Sequence, residues 1–157
     1  MAEKHAVHHY HAVCNWKDST GAGYEVYDRN HQLTAPPAER ALDMSSDPAF
    51  RGDSARLNPE QLLVMAAASC QMLSFLAIAA RARIDVVEYG DKAEGLMPED
   101  DKPMRITRII LRPHIVIQGQ MDEARVRQFI LTAHEHCFIA NSLKTEIEIQ
   151  PEIVFKA

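Results

Sequence analysis

The sequence predicts an α+β fold, mainly antiparallel sheet packed against helices, and three observations carry that expectation. The run from Leu62 to Ala80 is rich in Ala and Leu and far too long for a strand. A second run after Asp122 places Val126, Phe129, Ile130 and Ala133 at helical spacing. Around these two helices lie segments such as MRITRIILRPHIVIQG and TEIEIQPEIVF, whose β-branched residues and period of two suit strands.

The elements follow in order. Residues 5–14 alternate loosely, STGAG with Gly21 and Gly23 supplies a turn, and Tyr24 to Tyr27, extending toward Leu33, completes a predicted hairpin. Pro36 and Pro37 break regular structure, a short strand lies near Arg40 to Met44, and LDMSSDPAFRGDSAR is an irregular connection. Asn58 suits an N-cap, Pro59 the first helical position, where its missing N–H costs nothing, and Gln61 the third position of a capping box. The first helix is expected to run to about Ala82. Strands follow over Val86 to Glu94 and, past the turn MPEDDKP, through MRITRIILRPHIVIQG; Asp122 caps a helix ending near His136 or Cys137, and TEIEIQPEIVF closes the chain.

At 157 residues the chain fits a single domain, 1–157, with a sizeable core. Apolar residues make up 46% and charged residues 25%, a folded rather than disordered composition. A net charge of -5 with no basic block argues against nucleic-acid binding, which needs phosphate-neutralising cations. The N-terminal MAEKHAVHHYHAV lacks the layout of a signal peptide, so a cytoplasmic location is expected. Ser69, Gln71 and Ser74 interrupt the long apolar run, which reads as a buried central helix rather than a membrane span. Such a helix is hard to cover with one small sheet, and an intertwined dimer would cover it.

Cys14, Cys70 and Cys137 form an odd set without CxxC spacing, which disfavours a disulfide framework or a cysteine-rich zinc site. On residue type alone Cys70 reads as a small core hydrophobe. Polar neighbours alter that balance, and Glu60 stands ten residues earlier, about 15 Å along the helix axis. Glu60 therefore cannot touch Cys70, but an arginine bridging the two would favour the thiolate. Arg51, Arg56 and Arg29 are the available cations, each also readable as a solvated surface charge.

The motifs NPEQLLVMAAASCQML and HEHCFIANSL, with DPAFRGD before them and a β-rich segment between, resemble the OsmC/Ohr family of osmotically induced and organic hydroperoxide resistance proteins. The resemblance covers about Tyr24 to Ile153. It implies an OsmC-like fold, with antiparallel sheets wrapped around long central helices in an intertwined homodimer. It also implies a thiol-dependent peroxidase in which Cys70 is the peroxidatic thiol, Cys137 the resolving thiol and Glu60 the carboxylate that orients an arginine. Arg51 is the first choice, matching the arginine that precedes the NPE motif in one branch of the family; Arg29 is the other, matching the one supplied by the early hairpin in the other branch. The implied partners are an organic hydroperoxide or hydrogen peroxide and a dithiol reductant, either a lipoylated protein or a thioredoxin-like one, with no metal or bound cofactor. Gln71 stands where many close relatives carry His, and Leu57 where an aromatic is frequent.

The remaining signals have plainer readings. His5, His8, His9 and His11 look like a metal cluster but read as a solvated stretch. His31, His134 and His136 are candidates for site polarity, Cys14 reads as a packed or idle thiol, and Met65, Leu73 and Phe138 are expected to line an apolar pocket. The alternatives are a non-catalytic small-molecule-binding module on the same fold, in which the cysteines matter little, and a structural or stress-associated dimer with no small ligand. The enzyme requires Cys70 and Cys137 close enough to bridge, with Cα atoms within about 7 Å.

Overall fold

Strand-forming residues pair locally in the computed structural model, which describes residues 5–157, and they do so within two units, Met1–Pro59 and Glu60–Ala157.

In the first unit, β1 (Val13–Asn15), β2 (His31–Thr34) and β3 (Leu42–Met44) form an antiparallel sheet in the order β1-β2-β3. Cys14 lies opposite Leu33, and Leu33 opposite Leu42. The predicted hairpin exists, but its second strand starts at His31; Tyr24 to Tyr27 lie in turns instead. Gly23, at φ 96, donates its amide to Thr20 and accepts from Val26, which turns the chain before a strand can extend. The loop of residues 16–30 is closed by Trp16, whose Nε1 donates to the Asp28 carbonyl at 2.7 Å, and by Asp18, which accepts from the Asp28 amide at 2.8 Å. That amide bond holds the Asp18 carboxyl below the usual carboxylate range. His5, His8, His9 and His11 are exposed and precede β1 rather than forming a strand.

After β3 a 3-10 turn, Pro48–Phe50, is capped by Asp47, which accepts from the Ala49 amide at 2.7 Å. Arg51 follows in the left-handed conformation, φ 67, and Gly52 comes next. A Cβ on Gly52 would fall 1.6 Å from the Ser46 carbonyl oxygen, so only glycine fits.

In the second unit, α1 (Pro59–Arg81) buries one stripe, Ala67, Gln71, Phe75 and Ala79, spaced four residues apart. It is long and apolar enough to cross a membrane by length and composition, yet only 22% of its most apolar window is buried. The expected buried central helix is thus buried on one face alone. The helix ends in a Schellman motif, with Ile84 donating to Ala79 at 2.9 Å, Arg83 donating to Ala80 at 3.1 Å, and Arg83 at φ 58.

Two further sheets follow. One has the order β4-β7-β9, from β4 (Val86–Asp91), β7 (Pro113–Gln118) and β9 (Glu152–Lys156); the other has the order β5-β6-β8, from β5 (Glu94–Leu96), β6 (Arg108–Leu111) and β8 (Glu146–Ile149). β4 pairs antiparallel with β7 and β5 with β6, but β6 with β8 and β7 with β9 are parallel. The sheet is mainly antiparallel, as expected, and the two parallel pairings arise from the connection. α2 (Glu123–Glu135) and the short α3 (Phe138–Ser142), which had no clear sequence signal, return the chain so that its last strands run parallel to their partners. The closing segment is two strands, since Pro151 has no N–H and Gln150 leaves β8 by donating to Leu111 at 2.8 Å.

Phe75, Ile115, Ile117, Val126 and Ile130 form one core beneath α2; Ala67, Ile109 and Leu111 form another nearer the start of α1. α2 begins as expected at Asp122, which accepts from the Ala124 amide at 3.0 Å. Gly95 on β5 faces the second core, where a Cβ would meet Val64 Cγ2 at 2.6 Å.

Gly52→Ala is expected to lower stability by more than about 2 kcal/mol, because the obstacle is backbone rather than a movable side chain. Gly90→Ala meets nothing within 4 Å and serves as the control. Thermal unfolding at matched protein concentration separates the two, and equal melting temperatures would refute the close approach at Gly52.

Candidate active site at the Cys70–Cys137 pair

Helical spacing determines how Cys70 is presented. Gln71 lies on the buried stripe of α1, so Cys70, one residue earlier, sits at the stripe's flank and is half-buried. Cys137 follows the last turn of α2 as the residue before α3 and is buried, at 1% exposure. The two thiols, 67 positions apart in sequence, come close enough for Cys70 to alter the acidity of Cys137, and neither is in a disulfide.

The buried thiol is the weaker acid. Burial is the largest cause that pushes Cys137 up from 9.0 to about 11; its hydrogen bond to Cys70 and the charge on Cys70 push the same way. The amides of Ala140 and Ile139, in the first turn of α3, oppose this, although no side-chain cap bond is formed there. Cys137 is therefore held as the protonated thiol at neutral pH, beside the less buried Cys70.

Gln71 makes the tie that sets this geometry. Its Nε2 donates to the Ile130 carbonyl of α2 at 3.1 Å, while the side chain is 1% exposed. Gln71 Oε1 and His134 Nδ1 are buried without partners among the described residues. The cysteine motifs gave no sign of this connection; the signal available in sequence was a glutamine on the apolar side of a helix, where an amide needs a partner. Asn141, on α3, bonds back to the carbonyls of Glu135 and Cys137, both at 2.9 Å, and so fixes the turn that carries Cys137.

The other candidates are distributed as follows. Glu60 is in the first turn of α1, in the second unit, and half-buried. Arg51 and Arg29 belong to the first unit. Arg51 is ion-paired with Glu25, and Arg56 with Asp43 and Asp53. Arg29 stacks on Tyr27 and Tyr24, 3.7 and 4.7 Å from the ring centroids, and donates to both of their carbonyls. Among the described residues it has no carboxylate partner, so its charge is the un-neutralised one. Cys14 is exposed rather than packed. Met65, Leu73 and Phe138, expected around a pocket, are 52%, 60% and 81% exposed in the single chain. Among the described residues no group of three or more His, Cys, Asp or Glu could hold a metal.

The family model described as OsmC-like protein matches residues 52–152. An OsmC-like protein of unknown function from Vibrio cholerae has the same fold with a TM-score of 0.82 at 30% identity, covering 94% of this chain and all of its own. An organic hydroperoxide resistance protein from Legionella pneumophila aligns with a TM-score of 0.67 at 17% identity, covering 96% of this chain and 99% of its own, a likeness of fold. The uncharacterized protein YmaD of Bacillus subtilis is 23% identical over 154 residues, 96% of this chain and 97% of its own.

Replacing Cys70 by Ala removes two of the three influences that raise the Cys137 thiol and leaves burial. Alkylation of Cys137, followed against pH by peptide mass mapping, is expected to rise near pH 11 in the native chain and at lower pH in Cys70→Ala. Superimposable profiles would show that the two sulfurs do not interact.

Proposed function

Because the chain belongs to the OsmC-like protein family, whose fold it shares with organic hydroperoxide resistance proteins, we propose that it is a thiol-dependent peroxidase acting on organic hydroperoxides. The observation that supports this most directly is the pairing of a half-buried thiol on α1 with a buried, protonated one after α2. In this reading the Cys70 thiolate attacks the distal oxygen of ROOH, the O–O bond breaks, and the alkoxide leaves as ROH after taking a proton. Cys70 is left as a sulfenic acid. Cys137 attacks its sulfur, water departs, and a Cys70–Cys137 disulfide forms. An external dithiol, a lipoylated or thioredoxin-like protein, then reopens the bridge by exchange.

The family resemblance assigns Glu60 to holding an arginine, and Arg29 is the better candidate than Arg51. Arg51 already has Glu25 for its charge, whereas Arg29 is held by aromatic rings and carbonyls that leave it cationic. Three free cysteines suit a reducing compartment such as the cytoplasm. The homodimer of the proposal is supported by α1, whose outward stripe of Met65, Ser69, Leu73 and Ala77 is exposed at four-residue spacing. Contiguous apolar surface of that kind is stabilised by burial against a second copy.

Turnover of cumene hydroperoxide with a dithiol is expected to fall by more than about a hundredfold in Cys70→Ser. Full turnover in that variant would overturn the peroxidase and leave the non-catalytic binding module as the reading. Without the dithiol, Cys137→Ser should consume about one equivalent of peroxide and stall as a sulfenic acid. Arg29→Ala is expected to slow the peroxide step more than Arg51→Ala; the reverse order would exchange their roles. Leu73→Glu should convert a dimer to monomer in sedimentation, and an unchanged mass would remove α1 from the interface.

A further inference from the structure

The third cysteine has no part in the peroxidase reading, although it lies beside Arg29, the arginine that reading prefers. β1 and β2 pair so that Cys14 lies opposite Leu33, which puts Cys14, Trp16, His31 and Leu33 on one face of the sheet. Cys14, Trp16, Tyr27, Arg29 and His31, with Ser45, line a cavity of about 410 Å³ within the first unit. Cys14 is exposed and free.

His31 is oriented by its backbone contact. Its Nδ1 lies 2.8 Å from the Arg29 carbonyl, which only accepts, so Nδ1 is the donor of that bond and Nε2 is the nitrogen left for another partner. An imidazole nitrogen, a thiol two residues away diagonally across the strand pair, and a cation with no carboxylate partner among the described residues thus share one cavity. Each ingredient suits one step of thiol–disulfide exchange, and the guanidinium suits a disulfide that carries negative charge.

We propose that Cys14 is a modification site for anionic low-molecular-weight disulfides, with His31 as its general base and Arg29 drawing the disulfide into the cavity. His31 Nε2 takes the Cys14 proton as the sulfur attacks one sulfur of RSSR. A new S–S bond forms, the old one breaks, and the departing RS⁻ recovers the proton from His31. The products are Cys14–S–S–R and RSH, so the disulfide is the only oxidant needed. The adduct fills the cavity beside Trp16, the sole tryptophan of the chain, whose fluorescence reports on it.

The test treats the full-length protein with oxidised glutathione, reads adducts by peptide mass mapping and follows tryptophan emission. The expected result is one glutathione on Cys14, a matching change in emission, and loss of both in Cys14→Ser. His31→Gln should slow the adduct by about tenfold or more, and the neutral 2-hydroxyethyl disulfide should react more slowly than oxidised glutathione. All of this should persist in Cys70→Ser, where peroxide turnover is lost, so this proposal and the peroxidase reading fail separately. Modification of Cys14 no faster than that of free cysteine would overturn the site. An unchanged rate in His31→Gln would overturn the base, and equal rates for the two disulfides would overturn the selection for charge.

Discussion

Everything in the second unit is arranged around one contact, the seating of α1 by its stripe Ala67, Gln71, Phe75 and Ala79. Three of these residues are apolar, and Phe75 alone, fully buried, contributes about 2 to 3 kcal/mol. The fourth sets the register. An amide buried at Gln71 is costly unless bonded, and the Ile130 carbonyl of α2 satisfies its donor, so sliding α1 by one turn would leave that donor empty. The same constraint delivers Cys70 to Cys137, because Cys70 precedes Gln71 and Cys137 lies two turns past Ile130.

The first unit solves a different problem with much less apolar material. Three short strands bury little, and order comes from local polar closure: Asp18 and Trp16 on the Asp28 backbone, Asp47 capping its turn, Ser45 accepting from the Asp53 amide at 3.0 Å. These bonds convert a polar sequence into a fixed frame for Arg29 and Arg51. A glycine with no room for a methyl group at position 52 belongs to the same economy, since it lets the chain fold back on Ser46.

Much of this was legible beforehand, and the reason differs from element to element. The two main helices have periodic patterns and clear caps, so α1 was expected to about Ala82 and ends at Arg81, and Asp122 caps α2. The segment from Tyr24 to Tyr27 misled because aromatic and β-branched residues favour strands by packing, and here the turn at Gly23 wins. Parallel pairing of the last strands depends on how α2 and α3 return the chain, which no local pattern encodes. The cysteine pair was readable only through its two motifs, while the Gln71 tie and the orientation of His31 are facts of three-dimensional placement. Arg83 shows the limit in the other direction: a Schellman ending invites glycine, and an arginine occupies it.

The unequal burial of the two sulfurs carries a consequence for the return half of the proposed cycle. In the proposed Cys70–Cys137 bridge Cys70 is the less buried residue, so an incoming thiol would join there and Cys137 would be the leaving group. Burial, the main cause of its weak acidity, is still present in the bridge, and a weakly acidic thiol departs slowly. A single thiol attached at Cys70 would then be expelled again by Cys137 before a second one arrived. A tethered second thiol competes with that reversal because it is already in place. In the proposed cycle a preference for a dithiol over an abundant monothiol would thus be kinetic selection of the electron donor, set by the depth at which one sulfur is buried.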